Sequence, residues 1–180
     1  FITVTAGGGV RSVQDVRALL RAGADKVAVN TAALKQPALI TAIAQAFGRQ
    51  CMVLSVQAKR RPGGGWEAYF DNGREHSGRD AVAWAAEGAQ RGAGEILLTS
   101  VDAEGCRRGM DTELVAAVCA AVDVPVVAAG GLASAEDAAA AANAGAAAVA
   151  AASALHYGTQ TVQSLKQGLA ALGVEVRPCE

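Results

Sequence analysis

The chain has almost no net charge: 16 lysines and arginines stand against 17 aspartates and glutamates, a formal charge of -1. A nucleic-acid binder carries a basic surplus, and none is present. No apolar run is long enough to span a bilayer without interruption; the alanine-rich stretch from Ala138 to Ala154 is broken by Asn143 and Gly145 and reads as helix then strand. The four cysteines, Cys51, Cys106, Cys119 and Cys179, have neither metal-ligand spacing nor close pairing. They are expected to be free thiols in a reducing, cytoplasmic compartment, and no metal or other cofactor is expected. There is also no initiator Met and no leader. Phe1-Ile2-Thr3-Val4 already reads as strand, so the expectation is a piece of a longer protein.

What is present is apolar residue, 52% of 180, enough for one domain with a substantial core. A repeat organises it. Shifted by 122 positions, Val4–Ala32 aligns without a gap on Val126–Ala154, with 13 of 29 positions identical. Six of the matches are alanines and count for little. The others include Gly8 with Gly130, Gly9 with Gly131, Ser12 with Ser134, Asp15 with Asp137, Gly23 with Gly145 and Val27 with Val149. One supersecondary unit of strand, glycine pair, helix and strand has been used twice.

Short apolar runs without clean alternation predict strands buried on both faces at Ile2–Thr5, Lys26–Val29, Met52–Val56, Glu95–Thr99, Val124–Ala128 and Ala147–Ala151. Helices are predicted over Ser12–Ala22, Pro37–Phe47, Asp80–Arg91, Thr112–Ala121, Ser134–Ala144 and Thr161–Leu172. Ser12 with Asp15, and Ser134 with Asp137, have capping-box spacing. Gly23, Gly48, Gly92, Gly145 and Gly173 stand where helices end in a left-handed residue. Between the third strand and third helix, residues 60–77 contain Trp66-Glu67-Ala68-Tyr69-Phe70 and an Asn72-Gly73 turn, read as a hairpin flap on a βα loop.

Six consecutive βα units imply parallel strands with right-handed crossovers. An open doubly wound sheet and a (β/α)8 barrel both fit, but a repeat offset by four units is natural in a barrel made of two halves. The expectation is one partial TIM-barrel domain over residues 1–180, with six of eight units present and two missing from the front.

Chemistry in such a barrel sits at the C-terminal ends of strands. The first unit ends in Gly7-Gly8-Gly9 before a capped helix, where backbone N–H groups can approach an anion. The second ends in Asn30-Thr31, whose side chains suit phosphate oxygens. The fifth and sixth repeat this with Gly130-Gly131 and Ser153. Two such sites across one mouth predict a long ligand with a phosphate at each end. Gln57 ends the third strand. Thr99, Asp102 and Glu104 end the fourth, where a carboxylate can serve as base or hold a substrate hydroxyl; Glu104 reads equally well as a solvated acid in a helix-entry turn. His76 reads as a solvated loop histidine, His156 as packed between helix and strand, and Trp66 and Trp84 as core or flap packing. Asp25, Lys26 and Glu95 lie at the opposite, lower end of the strands.

Ala6-Gly7-Gly8-Gly9-Val10-Arg11-Ser12, the run Ala22–Ala33, and Gly94-Glu95-Ile96-Leu97-Leu98-Thr99-Ser100-Val101-Asp102 together resemble the cyclase subunit of imidazole glycerol phosphate synthase. The resemblance runs over the whole chain. It implies a lyase of histidine biosynthesis that joins ammonia from a glutaminase partner to a bisphosphate aminoimidazole carboxamide ribonucleotide. It also implies that Gly8, Gly9, Asn30 and Thr31 hold one phosphate, and that Gly105, Gly130, Gly131 and Ser153 hold the other. Thr99 and Asp102 fall in the substrate site, Lys26 and Glu95 at an ammonia gate, and Asp25 at the glutaminase interface. The family's acid/base pair is two aspartates. One lies on a strand that precedes this chain, and the other falls on Gln57, an amide that cannot exchange a proton at neutral pH. Ala129 and Cys106 replace a serine and a threonine that are common in the family. Two alternatives follow from Gln57: a paralogue delivering ammonia to a sugar acceptor in surface polysaccharide synthesis, or a catalytically impaired fragment whose role is to dock a glutaminase.

Overall fold

The computed structural model describes residues 2–177. Phe1 and Cys179, both named above, lie outside the described residues.

Six parallel strands form a curled sheet in the order β1 (Thr5–Gly7), β2 (Lys26–Val29), β3 (Met52–Arg60), β6 (Glu95–Ser100), β7 (Val126–Ala129) and β8 (Ala148–Ala150). Two further strands, β4 (Trp66–Phe70) and β5 (Glu75–Asp80), continue antiparallel from the end of β3. Helices α1 (Val13–Arg21), α3 (Ala38–Phe47), α4 (Ala81–Arg91), α5 (Thr112–Ala121), α6 (Ala135–Asn143) and α8 (Val162–Ala171) alternate with the strands. Two short helices, α2 (Thr31–Lys35) and α7 (Ser153–His156), follow β2 and β8. This is a partial (β/α)8 barrel of six βα units, open between β1 and β8.

The openness shows in burial. The helix-facing side chains Val27, Val29, Leu54, Val56, Ile96, Leu98, Val126 and Ala128 are all buried, and they form the main core with Ile40, Ile43, Trp84, Leu114 and Val118. The concave side alternates with them. Ala28, Ser55, Gln57, Leu97 and Val127 are only half-buried. In a closed barrel the concave side is itself a packed core; here it faces an open mouth. A smaller apolar cluster, Leu132, Ala135, Ala138, Ala154, Leu165 and Leu169, joins α6 to α8.

Local chemistry fixes the elements. Ser12 caps α1 by accepting from the Asp15 amide, while the Asp15 carboxylate accepts from the Ser12 amide; Ser134 and Asp137 repeat this on α6. The Asp15 carboxyl is held below its ordinary range, chiefly by the Arg11 amide and then by the Ser12 hydroxyl. Gly92 ends α4 at φ 113°, a left-handed conformation open to glycine.

The structure differs from the sequence reading in several places. The first strand begins at Thr5 rather than Ile2, because its neighbour β2 begins only at Lys26, the partner of Thr5. The seventh runs Val126–Ala129, paired with Ile96–Thr99 of β6, rather than Val124–Ala128. The third strand runs four residues further than Val56, because β4 supplies a second set of partners from Gln57 to Arg60. His156 is exposed rather than packed between helix and strand, with its ring 4.9 Å from that of Tyr157.

Candidate functional site

The concave mouth begins at the first glycine pair. Gly8 and Gly9 adopt φ of 100° and 71°, and a Cβ on either would meet nothing within 4 Å. Their glycine requirement is therefore conformational, and the space beside them is free. A cavity of about 1180 Å³ opens there, lined by Gly7–Arg11, Asn30, Thr31, Lys35, Ser55 and Gln57 on the barrel side and by Phe70, Asp71, Asn72 and Glu75 from the hairpin. The backbone and cations of one wall suit an anion. Sequence reasoning missed Arg11, Lys35, Asp71 and Glu75. Lys35 falls four residues after Thr31, one helical turn along α2, and that spacing was the available signal.

The second glycine pair is built differently. Gly130 and Gly131 have φ of 93° and 91°, close to the first pair. A Cβ on Gly130 would lie 2.6 Å from the Ser100 carbonyl oxygen, and one on Gly131 would collide with the Gly109 carbonyl oxygen. The Gly109 amide also donates to the Gly131 carbonyl at 3.1 Å. The β6–α5 loop thus packs directly onto this pair. That loop carries Gly105 at φ 73° and exposed Arg107 at φ 51°, whose guanidinium lies 5.2 Å from the centre of the Tyr157 ring. Thr31 and Ser153 take matching places as the first residues of α2 and α7.

Gln57 stands at the centre of the mouth. Its Oε1 accepts from Asn30 Nδ2 at 3.0 Å and from the Gly73 amide at 2.9 Å. Asn30 Nδ2 also donates to the Tyr69 carbonyl at 3.2 Å, and Asn30 Oδ1 is buried with no partner. Flipping the Asn30 amide would point its oxygen at two acceptors, so the orientation is set by its neighbours. The hairpin turn held in this way has Asp71, Asn72 and Gly73 all left-handed, at φ 52°, 57° and 74°. Each left-handed L-residue costs roughly 1 kcal/mol, somewhat less for Asp and Asn. Two bonds from outside the turn, to Gln57 and from the Asp71 amide to Thr31 Oγ1 at 3.3 Å, offset that by about 0.5–1.5 kcal/mol each. Lys35 Nζ adds a cation–π contact 5.3 Å from the Phe70 ring centre.

The base of the hairpin is tied to α5. Asp111 caps α5 by accepting from the Leu114 amide at 3.1 Å, and it also accepts from Trp66 Nε1 at 3.0 Å and Arg60 Nη2 at 3.1 Å. Glu113 takes Arg60 Nη2 at 2.8 Å, and this pairing raises the Arg60 pKa. On the hairpin, Glu67 accepts from the Gly78 amide at 2.8 Å and faces His76 Nδ1 at 3.3 Å. The Gly78 amide, then His76, hold its carboxyl below the ordinary glutamate range.

The remaining sequence candidates are scattered around this centre. Asp102 is exposed and outside the cavity wall, and its Oδ2 accepts from the Arg60 amide at 2.8 Å. Glu104 is exposed in the same loop, and Thr99 is buried in β6. The carboxylates that line the cavity are instead Asp71 and Glu75. At the lower end, Lys26 Nζ reaches Glu95 Oε2 at 2.6 Å. The two residues belong to β2 and β6, which flank β3, and each lies two places before a cavity-lining residue, Ala28 and Leu97. The pair therefore bridges the concave side rather than the outer surface. Asp25 Oδ2 accepts from the Val4 amide at 2.8 Å. Among the described residues no group of three His, Cys, Asp or Glu side chains could hold a metal, and no helix is long and apolar enough to cross a membrane.

Comparison with known proteins gives the family. The family described as "Histidine biosynthesis protein" matches residues 1–161. The imidazole glycerol phosphate synthase subunit HisF of Beutenbergia cavernae is 56% identical over 182 residues, covering 98% of this chain and 71% of that protein. The HisF subunit of Legionella pneumophila is 58% identical over 137 residues, covering 76% of this chain and 65% of that protein. That of Symbiobacterium thermophilum is 52% identical over 178 residues, covering 98% of this chain and 70% of that protein.

Proposed function

Because the chain belongs to the histidine biosynthesis protein family, as a HisF-like cyclase subunit, we propose that it binds a bisphosphate aminoimidazole carboxamide ribonucleotide across its mouth. On this reading it uses ammonia from a glutaminase subunit to form imidazole glycerol phosphate. The observation that carries the reading is a duplicated backbone: two glycine pairs with left-handed φ, each followed one unit later by Thr31 or Ser153 at the start of a short helix. A helix of that length contributes little dipole, so the backbone N–H groups and the hydroxyl do most of the binding. Gly8, Gly9, Asn30 and Thr31 take one phosphate; Gly105, Gly130, Gly131 and Ser153 take the other. Thr99 stands near the end of β6 between them, whereas Asp102, outside the cavity wall with its carboxylate taken by the Arg60 amide, acts only on the backbone there. The Lys26–Glu95 pair, bridging the concave side at the lower end, is placed to admit ammonia when it parts, with Asp25 beside the glutaminase.

The chemical step is where the chain departs from this role. Closing an imidazole ring needs proton transfer, and Gln57 stands where a general acid/base belongs. Its loss slows such steps about 10²–10⁴-fold. In a protein extended to the full barrel, Gln57→Asp is expected to raise ammonia-dependent turnover of the bisphosphate. Turnover unchanged by that substitution weighs against the cyclase reading.

One observation favours a second reading. The Gln57 carbonyl is fully engaged by Asn30 and Gly73, so this side chain is built into the hydrogen bonding of the mouth rather than left idle in it. A paralogue passing ammonia to a different acceptor, such as a sugar, would retain the lower pair and alter the mouth in this way. Phosphate binding without cyclisation in both parent and Gln57→Asp supports it.

A further inference from the structure

We propose that Gln57 is a positioning residue: its carbonyl fastens the β4–β5 turn across the mouth, and only its amide N–H groups are left for a ligand, so the site selects an acceptor oxygen at this point. The fastening half stands on geometry alone. The ligand half rests on the anion reading above.

Gln57 projects from β3 into the cavity, directly across from Tyr69 of β4 in the antiparallel register. Its Oε1 has two donors, Asn30 Nδ2 at 3.0 Å and the Gly73 amide at 2.9 Å. A carbonyl oxygen has two lone pairs, and both are used. Gly73 cannot easily move aside. Its φ is 74°, and a Cβ there would already touch Val101 Cγ1 at 2.9 Å. The turn therefore rests on Val101 behind and on Gln57 and Thr31 in front. Among the described residues Gln57 Nε2 has no hydrogen-bond partner, and it carries two donors and no acceptor capacity.

Length and charge separate the alternatives. Aspartate is shorter by one methylene, about 1.5 Å on backbone-like bond lengths, and cannot span the 2.9 Å bond to Gly73 from the same strand position. Glutamate has the reach and the acceptor oxygens, but its charge would join Asp71 and Glu75, which already line this cavity. An amide of glutamine length alone fastens the turn without adding a third negative charge beside an anion site. The ligand group this favours is a phosphate oxygen, whether on inorganic phosphate or on a phosphate monoester.

The test uses the 180-residue chain, its Q57A and Q57E variants, and inorganic phosphate as probe, followed by amide resonances. Without phosphate, the Gly73 amide is expected to exchange with solvent about tenfold faster in Q57A, as fits the loss of one hydrogen bond. Q57E is expected to restore parent-like protection, which a generic packing role would not do. With phosphate, the parent is expected to bind at the Gly8–Gly9 amides, and Q57E to bind at least tenfold more weakly. Gly73 exchange unchanged in Q57A overturns the fastening role. Equal phosphate affinity in parent and Q57E overturns the donor role. A parent that retains Gly73 protection but binds no phosphate overturns the anion reading and the donor role together, while the fastening role stands.

Discussion

Two glycines that are equivalent in the repeat are predicted to be unequal in cost. Gly9 and Gly131 align, and their φ values of 71° and 91° both lie where an L-residue is strained. Replacing either with alanine should cost about 1–2 kcal/mol for that reason alone. Beyond this they diverge. A Cβ on Gly9 enters open cavity, whereas one on Gly131 runs into the Gly109 carbonyl oxygen and lies 3.0 Å from the Ala103 Cβ. The obstacle at Gly131 is backbone, so the β6–α5 loop must shift, and overpacking of that kind adds about 1–3 kcal/mol. Gly9→Ala should therefore lose about 1–2 kcal/mol and Gly131→Ala about 2–5 kcal/mol. Urea denaturation of the two variants beside the parent measures both. Equal losses, within about 0.5 kcal/mol, would refute the claim that the β6–α5 loop packs on the second pair.

Asp111 is predicted to matter through three partners at once. Asp111→Ala should cost about 2–4 kcal/mol, from a helix cap and a charge-assisted bond to Trp66, whereas Asp111→Asn, which keeps the cap, should cost less than half of that; denaturant midpoints followed by tryptophan fluorescence decide it. Glu67 has a folded-state pKa below its ordinary value, so its contribution is full at neutral pH and is lost as pH falls through the lowered range. The melting-temperature gap between parent and Glu67→Gln should therefore shrink in acid, and a gap constant with pH would contradict the assignment. The sheet ends in two strands, β1 and β8, that each have one neighbour, and open edges invite association. Sedimentation should show concentration-dependent association, against which a cooperative monomer at all concentrations would count.

Much of the frame was legible because burial and turn chemistry are written locally. Lys26–Val29 has the run of apolar residues that a doubly covered strand needs, and it forms at the predicted bounds. Ser12 and Asp15 announce their capping box by spacing alone. The short helices α2 and α7 left no such trace, since four or five residues carry too little periodicity to read. They were visible only as a pair, through the repeat that aligns Thr31 with Ser153. The site divides the same way. Left-handed glycines could be read from their places in βα turns, but the unequal packing of the two pairs depends on a loop some 20 residues upstream of the second. Likewise, nothing near Gln57 in sequence announces that Gly73, 16 residues on, will bind its carbonyl, or that Arg60 will meet Asp111 across 51 residues. Partners chosen by topology become readable only once the strand order is known.

On the proposed function, one mouth holds two phosphates, one at each copy of the repeat. A phosphorus NMR titration of the chain with a bisphosphate ligand tests it most directly, using Thr31→Asp and Ser153→Asp, since a carboxylate in the first turn of a helix is tolerated by the fold but repels an anion. Both phosphorus resonances should shift in the parent, and each variant should abolish the shift of a different one. No shift in the parent, or loss of the same resonance in both variants, would contradict it.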